Sequence, residues 1–231
     1  MKFVALATDY DGTLAREGAV APATVLALER LKQAGRKLIM VTGRELPDLR
    51  GVFERLELFD AVVAENGALL FLPATGEERP LAPPPPPGFV QALRDRGAEP
   101  LSAGNSIVAT REPYETAALE VIREFGLEWQ VIFNKGAVMC LPAGVNKASG
   151  LAAALAELEV SAHDVVAVGD AENDHAFLAA SGLAVAVANA VASLKAEADL
   201  VTEAPDGAGV AELADRLLED RIPSGGLRSG V

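Results

Sequence analysis

The sequence predicts an α/β protein: a core of parallel strands alternating with helices, interrupted by a small α+β insert. Three observations carry this. Apolar runs such as "KFVALAT", "KLIMVTG" and "DVVAVGD" lack the polar alternation of a half-exposed strand and read as strands buried on both faces. Helix-like segments separate them, which implies crossover connections and therefore a parallel sheet. Between residues 81 and 145 the texture changes, starting with "LAPPPPPGF", whose five consecutive prolines suit neither a helix nor a central strand.

The elements follow in order. "KFVALAT" (2–8) is the first strand. Pro22 opens a helix through "ATVLALERLKQA", which Gly35 stops. "KLIMVTG" (37–43) is the second strand, "PDLRGVFERLEL" (47–58) the second helix and "AVVAENG" (61–67) the third strand. The proline run reads as a stiff spacer. A helix ("FVQALRDRG"), a strand near "NSIVATR" and a helix ("PYETAALEVIREFG") come next. Two strands follow, "EWQVIFN" and "AVMCLPA", joined by a tight "NKG" turn. From Asn146 the crossover texture returns with the helix "NKASGLAAALAEL", the strand "DVVAVGD", the helix "NDHAFLAAS" and the strand "LAVAVAN". "VASLKAEA", "LVT" and "GVAELADRLLED" complete the series, and "RIPSGGLRSGV" reads as a mobile tail. The expected division is a core of residues 1–80 and 146–220, an insert of residues 81–145 and a flexible tail of residues 221–231.

Bulk composition narrows the class. Half of the 231 residues are apolar, enough for a substantial core in one large or two small domains. The net charge of −13, with no basic stripe, argues against a nucleic-acid or anionic-membrane surface. A single cysteine, Cys140, excludes an internal disulfide, and its apolar surroundings in "GAVMCLP" suggest a buried, inert thiol. The opening apolar run is too short for a signal peptide, and no stretch reaches the roughly 18 apolar residues of a membrane span. The expected location is cytoplasmic.

The chemistry gathers where the strands end. In open parallel sheets, ligands bind beyond the carboxyl ends of the strands. There the first strand places Asp9 and Asp11, the second places Thr42, Gly43 and Arg44, and "VVAVGD" places Asp170, with Asn173 and Asp174 just after it. Two carboxylates about 4 Å apart repel by roughly 4 kcal/mol at an effective dielectric of about 20. Four of them converging require a cation. An all-oxygen set favours a hard metal, Mg²⁺ above all, shared with substrate phosphate oxygens. His163 and His175 show no zinc-binding spacing and read as surface or helix-end residues.

"DYDGTL" (9–14), "VTGR" (41–44), the lysine of "GVNKASGL" and "GDAEND" (169–174) stand in the order seen in the haloacid dehalogenase superfamily. The chain resembles the phosphatase branch of that family across nearly all of the core. "AENGA" (64–68), the position of the insert between the second and third motifs, and "VAVANA…ADLVT" resemble the subgroup with an α/β cap. That subgroup includes sugar-phosphate phosphatases and archaeal-type phosphoglycolate phosphatases. The resemblance implies a Rossmann-like three-layer core under a small cap, and a Mg²⁺-dependent phosphatase acting on a small phosphorylated metabolite through an aspartyl-phosphate. It casts Asp9 as nucleophile and metal ligand, and Asp11 as general acid and base that also offers its backbone carbonyl to the metal. Thr42, Gly43 and Lys147 would hold the phosphoryl group. Asp170 would ligate the metal, Asp174 complete or orient its shell, and Asn173 hold a hydrogen bond behind it. Arg44 either touches substrate or braces its loop.

Specificity is expected from the insert, with Arg111, Asn134 and Lys135 as candidates beside Glu65 and Asn66 of the core. An exposed turn lysine is the commoner explanation of Lys135, which stays outside the catalytic set. A phosphomutase and a catalytically silent phospho-ligand-binding protein remain alternatives. A phospho-accepting receiver is disfavoured, because the third strand ends in "AENG" without an aspartate. The chain is expected to act as a monomer or homodimer.

Overall fold

Buried apolar runs set the framework. The computed structural model of the protein describes residues 3–222. It opens with β1 (Ala5–Thr8), α1 (Pro22–Gln33), β2 (Lys37–Val41), α2 (Leu46–Val52) and β3 (Ala61–Ala64). β4 (Leu69–Leu72) and β5 (Glu77–Pro80) follow. Next come α3 (Phe89–Asp95), β6 (Ser102–Ala103), β7 (Val108–Arg111), α4 (Glu115–Glu124), β8 (Trp129–Asn134) and β9 (Ala137–Pro142). The chain ends with α5 (Lys147–Glu157), β10 (Val165–Gly169), α6 (His175–Ala179), β11 (Leu183–Ala186), α7 (Ala192–Glu197), β12 (Leu200–Val201) and α8 (Asp206–Leu218). The first residue assigned to strand "KFVALAT", Lys2, and residues 223–231 of the expected tail lie outside the described residues.

Eight strands form one sheet in the order β12-β11-β10-β1-β2-β3-β4-β5. It is parallel from β12 to β3, as continuous apolar strands covered by helices require. β1, β3, β10 and β11 are buried at every position. α1 packs on α8, and α5 packs on α6 and on β2, β3 and β4. The four-stranded antiparallel sheet, β6-β7-β9-β8, is built wholly from residues between β5 and α5. Phe89, Val121, Val138 and Cys140 pack in a core of its own. A third cluster, Ala68 with Ile107, Met139 and Leu141, joins the two sheets. Burial pushes the Cys140 thiol up to about 12, which leaves it inert.

The sequence did not suggest β4 and β5. The third strand ends at Ala64 because Glu65 and Asn66 both take left-handed conformations, with φ of 52° and 54°. The chain therefore reverses, and the buried "LLFL" run pairs antiparallel with β3. β5 closes the edge with "EERP", a charged, exposed strand of the kind that discourages further pairing. The second helix also stops earlier than its periodicity predicts. Phe53 turns extended (φ −141°) and packs its ring beside Tyr10 and Phe59 instead of continuing the helix. The "NKG" turn is a tight hairpin as expected: Asn134 pairs with Ala137, and Lys135 and Gly136 both have positive φ.

Gly67 seats α5. It has φ of 110°, and a Cβ there would lie 2.0 Å from the Asn146 carbonyl oxygen. A Cβ on Gly150 of α5 would meet the Gly67 Cα at 2.6 Å. Backbone presses on backbone, so neither side can give. Gly67→Ala is expected to cost about 1–3 kcal/mol of stability, read as a lowered urea midpoint at unchanged slope.

Candidate active site

β1 lies between β10 and β2, with Thr8 level with Val168 on one side and Met40 on the other. The strand order reverses there, and such a switch point opens a crevice at the strand ends. One residue further on, the Asp9 amide donates to the Val168 carbonyl at 3.0 Å and extends the ladder. Asp170 and Thr42 continue the two neighbouring strands, so the topology brings these side chains together.

Lys147 arrives from the side. Asn146 caps α5: its Oδ1 accepts from the amides of Ala148 (2.9 Å) and Ser149 (3.1 Å), and Ser149 Oγ accepts from the Asn146 amide at 3.0 Å. This fixes the helix start and aims Lys147, 1% exposed, at the strand ends. Its Nζ donates to Asp9 Oδ1 at 2.5 Å and to Asp174 Oδ1 at 2.6 Å. A cation at a helix N-terminus opposes the helix dipole, so the carboxylates must outweigh that cost. Burial alone would pull the Lys147 ammonium down, but Asp174 and Asp9 outweigh it and hold it above the usual lysine range. Burial pushes the Asp9 carboxyl up to about 8; Lys147 opposes the rise, and the charges of Asp174 and Asp170 add to it.

The second acidic turn is organised by its own backbone. Asp174 Oδ2 accepts from the amides of Asp170 (2.8 Å) and Ala171 (2.9 Å). Both its oxygens are therefore engaged, one by Lys147 and one by the turn. Asp170 accepts from Thr13 Oγ1 at 3.0 Å. Asn173 Nδ2 donates to Asn66 Oδ1 at 2.9 Å, which links this turn to the reversal after β3.

Asp11 faces another way. Arg44 grips its carboxylate with two bonds of 2.7 Å each and also bonds Asp48 at 2.5 Å. Thr42 Oγ1, fully buried, accepts from the Arg44 amide at 3.1 Å, which leaves its own O–H to donate elsewhere. Gly43, Arg44, Glu45 and Asp48 line a cavity of about 380 Å³ together with Ser102, Ile107 and Ala109 of the second sheet.

The structure also brings in residues that sequence reasoning passed over or assigned otherwise. Lys135 is not a free turn lysine: its Nζ reaches Asp170 Oδ2 and lies 3.4 Å from the Asp11 carbonyl oxygen. Asn189 clamps the loop after β1, donating to the Gly12 carbonyl at 2.7 Å while its Oδ1 accepts from the Asp206 amide at 2.7 Å. Glu65, expected to face substrate, is fully buried and accepts from the amides of Asn105, Ser106 and Ile107 and from Asn105 Nδ2 at 2.8–3.2 Å. It clasps the insert to the core. Arg111 stands exposed at the end of β7, and Asn134 Oδ1 is buried without a partner among the described residues. The ring nitrogens of His175 meet Glu197 and Ser193 rather than the carboxylates, and His163 is exposed.

Oxygens of Asp9, Asp170 and Asp174 lie within 4.8 Å of one another, close enough for these three buried carboxylates to hold a metal ion. The donor chemistry fits a hard divalent cation. So does the charge: among the described residues three carboxylates face only two ammonium groups, and one of those, Lys135, sits on an exposed hairpin.

Carboxylates held around a buried lysine at a sheet's switch point, under a second sheet, form a site suited to handling a phosphoryl group with a metal ion. The chain belongs to the haloacid dehalogenase-like hydrolase family, whose sequence pattern matches residues 6–79 and 103–213. It is 33% identical to the phosphoglycolate phosphatase of Methanothermobacter thermautotrophicus over 93% of this chain and 98% of that one. Against the phosphoglycolate phosphatase of Aeropyrum pernix it is 31% identical, over 92% of each. Among solved structures, the Thermoplasma acidophilum protein 0175 superposes with a TM-score of 0.80 at 15% identity, covering 94% of this chain and 99% of that one. The subclass IIB sugar phosphatase BT4131 gives 0.76 at 20% identity, covering 92% and 98%. These two likenesses speak for the fold. No helix among the described residues is long and apolar enough to cross a membrane.

Proposed function

We propose that the chain is a Mg²⁺-dependent phosphatase that hydrolyses a small cytoplasmic phosphate monoester, phosphoglycolate or a sugar phosphate, through an aspartyl-phosphate on Asp9. The observation that carries this is the buried Asp9 carboxylate, held through Oδ1 by Lys147 in a carboxylate cluster, which leaves Oδ2 for attack on phosphorus. Asp9, Asp170 and the Asp11 carbonyl would hold the metal, with Asp174 orienting the turn that carries Asp170. The metal, when bound, offsets negative charge on the phosphoryl oxygens.

This chain's own residues supply the rest. Attack by Asp9 forms its bond to phosphorus as the bond to the leaving oxygen breaks. Asp11, which Arg44 holds through both oxygens, would release an oxygen and take a proton from solvent before giving that proton to the leaving oxygen, and later takes one from the water that cleaves the aspartyl-phosphate. The spare Thr42 O–H and the Lys147 ammonium donate to the phosphoryl oxygens. A cavity of about 380 Å³ suits a small leaving group. The four-stranded sheet, with residues 81–145, acts as a cap over a core of residues 1–80 and 146–220. All proposed residues come from one chain, so a monomer or a homodimer would serve.

The test is inorganic phosphate release from phosphoglycolate and a panel of sugar phosphates, with Mg²⁺ and with chelator. Mg²⁺-dependent release that the chelator abolishes is expected. No release from any ester would sink the reading, and the compound turned over fastest names the substrate.

A further inference from the structure

The Lys135 ammonium touches two oxygens that the proposed metal would need, Asp170 Oδ2 and the Asp11 carbonyl. Its reach is built in. The β8–β9 register and two successive positive φ values set Lys135 at the tip of a tight turn. Opposite it, a Cβ on Gly12 would lie 2.5 Å from both Lys135 Nζ and Asp170 Oδ2, so the missing side chain at Gly12 leaves the space the lysine fills. The side chain is 47% exposed, whereas that of Asp170 is 1% exposed: a surface cation has been threaded onto a buried anion.

We propose that Lys135 is a built-in rival of the divalent cation: ammonium and metal compete for Asp170 Oδ2 and the Asp11 carbonyl, so metal uptake displaces the Lys135 side chain from Asp170 while the apolar contacts of β9 keep the hairpin in place. An ammonium and a divalent cation repel each other when they crowd onto the same oxygens, so each loosens the other's hold. The Lys135 contact therefore weakens metal binding, and by reciprocity the metal weakens that contact to the same degree. Once displaced, Lys135 becomes a cation at the mouth of the site without its carboxylate partner, whereas Arg44 keeps Asp11 and Lys147 keeps Asp9 and Asp174.

This rests on the metal reading of Asp170 and the Asp11 carbonyl, and its test reads metal binding rather than turnover. Mg²⁺ is titrated calorimetrically, without substrate, into the unaltered protein, Lys135→Met and Lys135→Arg. Lys135→Met is expected to bind Mg²⁺ about fivefold or more tightly than the unaltered protein. Lys135→Arg, which keeps the rival charge, should bind more weakly than Lys135→Met. Equal or weaker affinity in Lys135→Met overturns the proposal and leaves the metal reading standing. A gain in Lys135→Arg as large as in Lys135→Met also overturns it, because bulk rather than charge would then be at work. Absence of Mg²⁺ binding in all three proteins overturns the metal reading and this proposal with it.

Discussion

Asp9→Asn is expected to lower kcat for phosphate release by about 10⁴-fold or more, the scale seen when a catalytic nucleophile is removed. The substitution keeps the shape of the side chain and a carbonyl oxygen for Lys147. What it removes is the second anionic oxygen, the one left free to form a bond to phosphorus. An amide is too poor a nucleophile to replace it. Single-turnover phosphate release from the two proteins at saturating Mg²⁺ measures the loss. A loss under about tenfold would mean that the bond to phosphorus forms at another atom.

The same variant should be more stable, and pH decides by how much. Asp9 stands at about 8 in the folded protein against 3.8 for an ordinary aspartate. Between these values the folded state binds the proton more tightly than the unfolded chain, so folding stability falls as pH rises through this window. Below about pH 4 both states are protonated and the group makes no difference. Asp9→Asn, which carries no charge at any pH, escapes the penalty. In chelator it should exceed the unaltered protein by about 0.5–2 kcal/mol at high pH, the size common for relief of a functional site, and by less towards about pH 4. Urea unfolding at several pH values reads the difference. A gap that widens as pH falls would reverse the sign of the argument.

Much of this was written in short stretches of chain. Apolar runs without alternation announced the parallel strands, and acids or hydroxyls at the ends of three of them announced the candidate site, because sheet topology converts strand ends into neighbours. Asp9 and Asp170 meet for that reason, and Lys147 at the start of α5 and Asp174 in the turn after β10 reach them within hydrogen-bonding distance. What the sequence concealed depends on backbone dihedrals and long-range docking. β4 was invisible because the reversal before it uses left-handed Glu65 and Asn66, where only Gly67 advertises a turn. Glu65 looked like a residue facing substrate. Its partners are three amides more than forty positions along the chain on average, and amides carry no sequence signal. Lys135 is the clearest case. A lysine in a tight turn is ordinarily solvated, and only the docking of one sheet on the other brings it to Asp170. Thr13 could have been suspected, since it directly follows "DYDG" and its hydroxyl binds Asp170.

Lys147→Met should strongly destabilise the fold of the core. The side chain is of similar length, so packing against Phe177, whose ring centre lies 5.8 Å from Nζ, is largely kept. The loss is electrostatic. Asp9, 4% exposed, and Asp174, fully buried, would keep their desolvation cost and lose the ammonium they share. Removing one partner of a buried pair typically costs about 3–5 kcal/mol, because a charge is left uncompensated in the interior. For a chain of this length that is a fall in Tm of roughly 6–20 °C. The loss has a signature that a cavity or a repacked core would not give. Protonating the orphaned carboxylates removes their charge, so the deficit should shrink as pH falls and should also shrink when Mg²⁺ is added. Calorimetric Tm values for the variant and the unaltered protein, across pH and with or without Mg²⁺, test both. A deficit independent of both would assign Lys147 to packing and leave the carboxylates without their counter-charge in the mechanism.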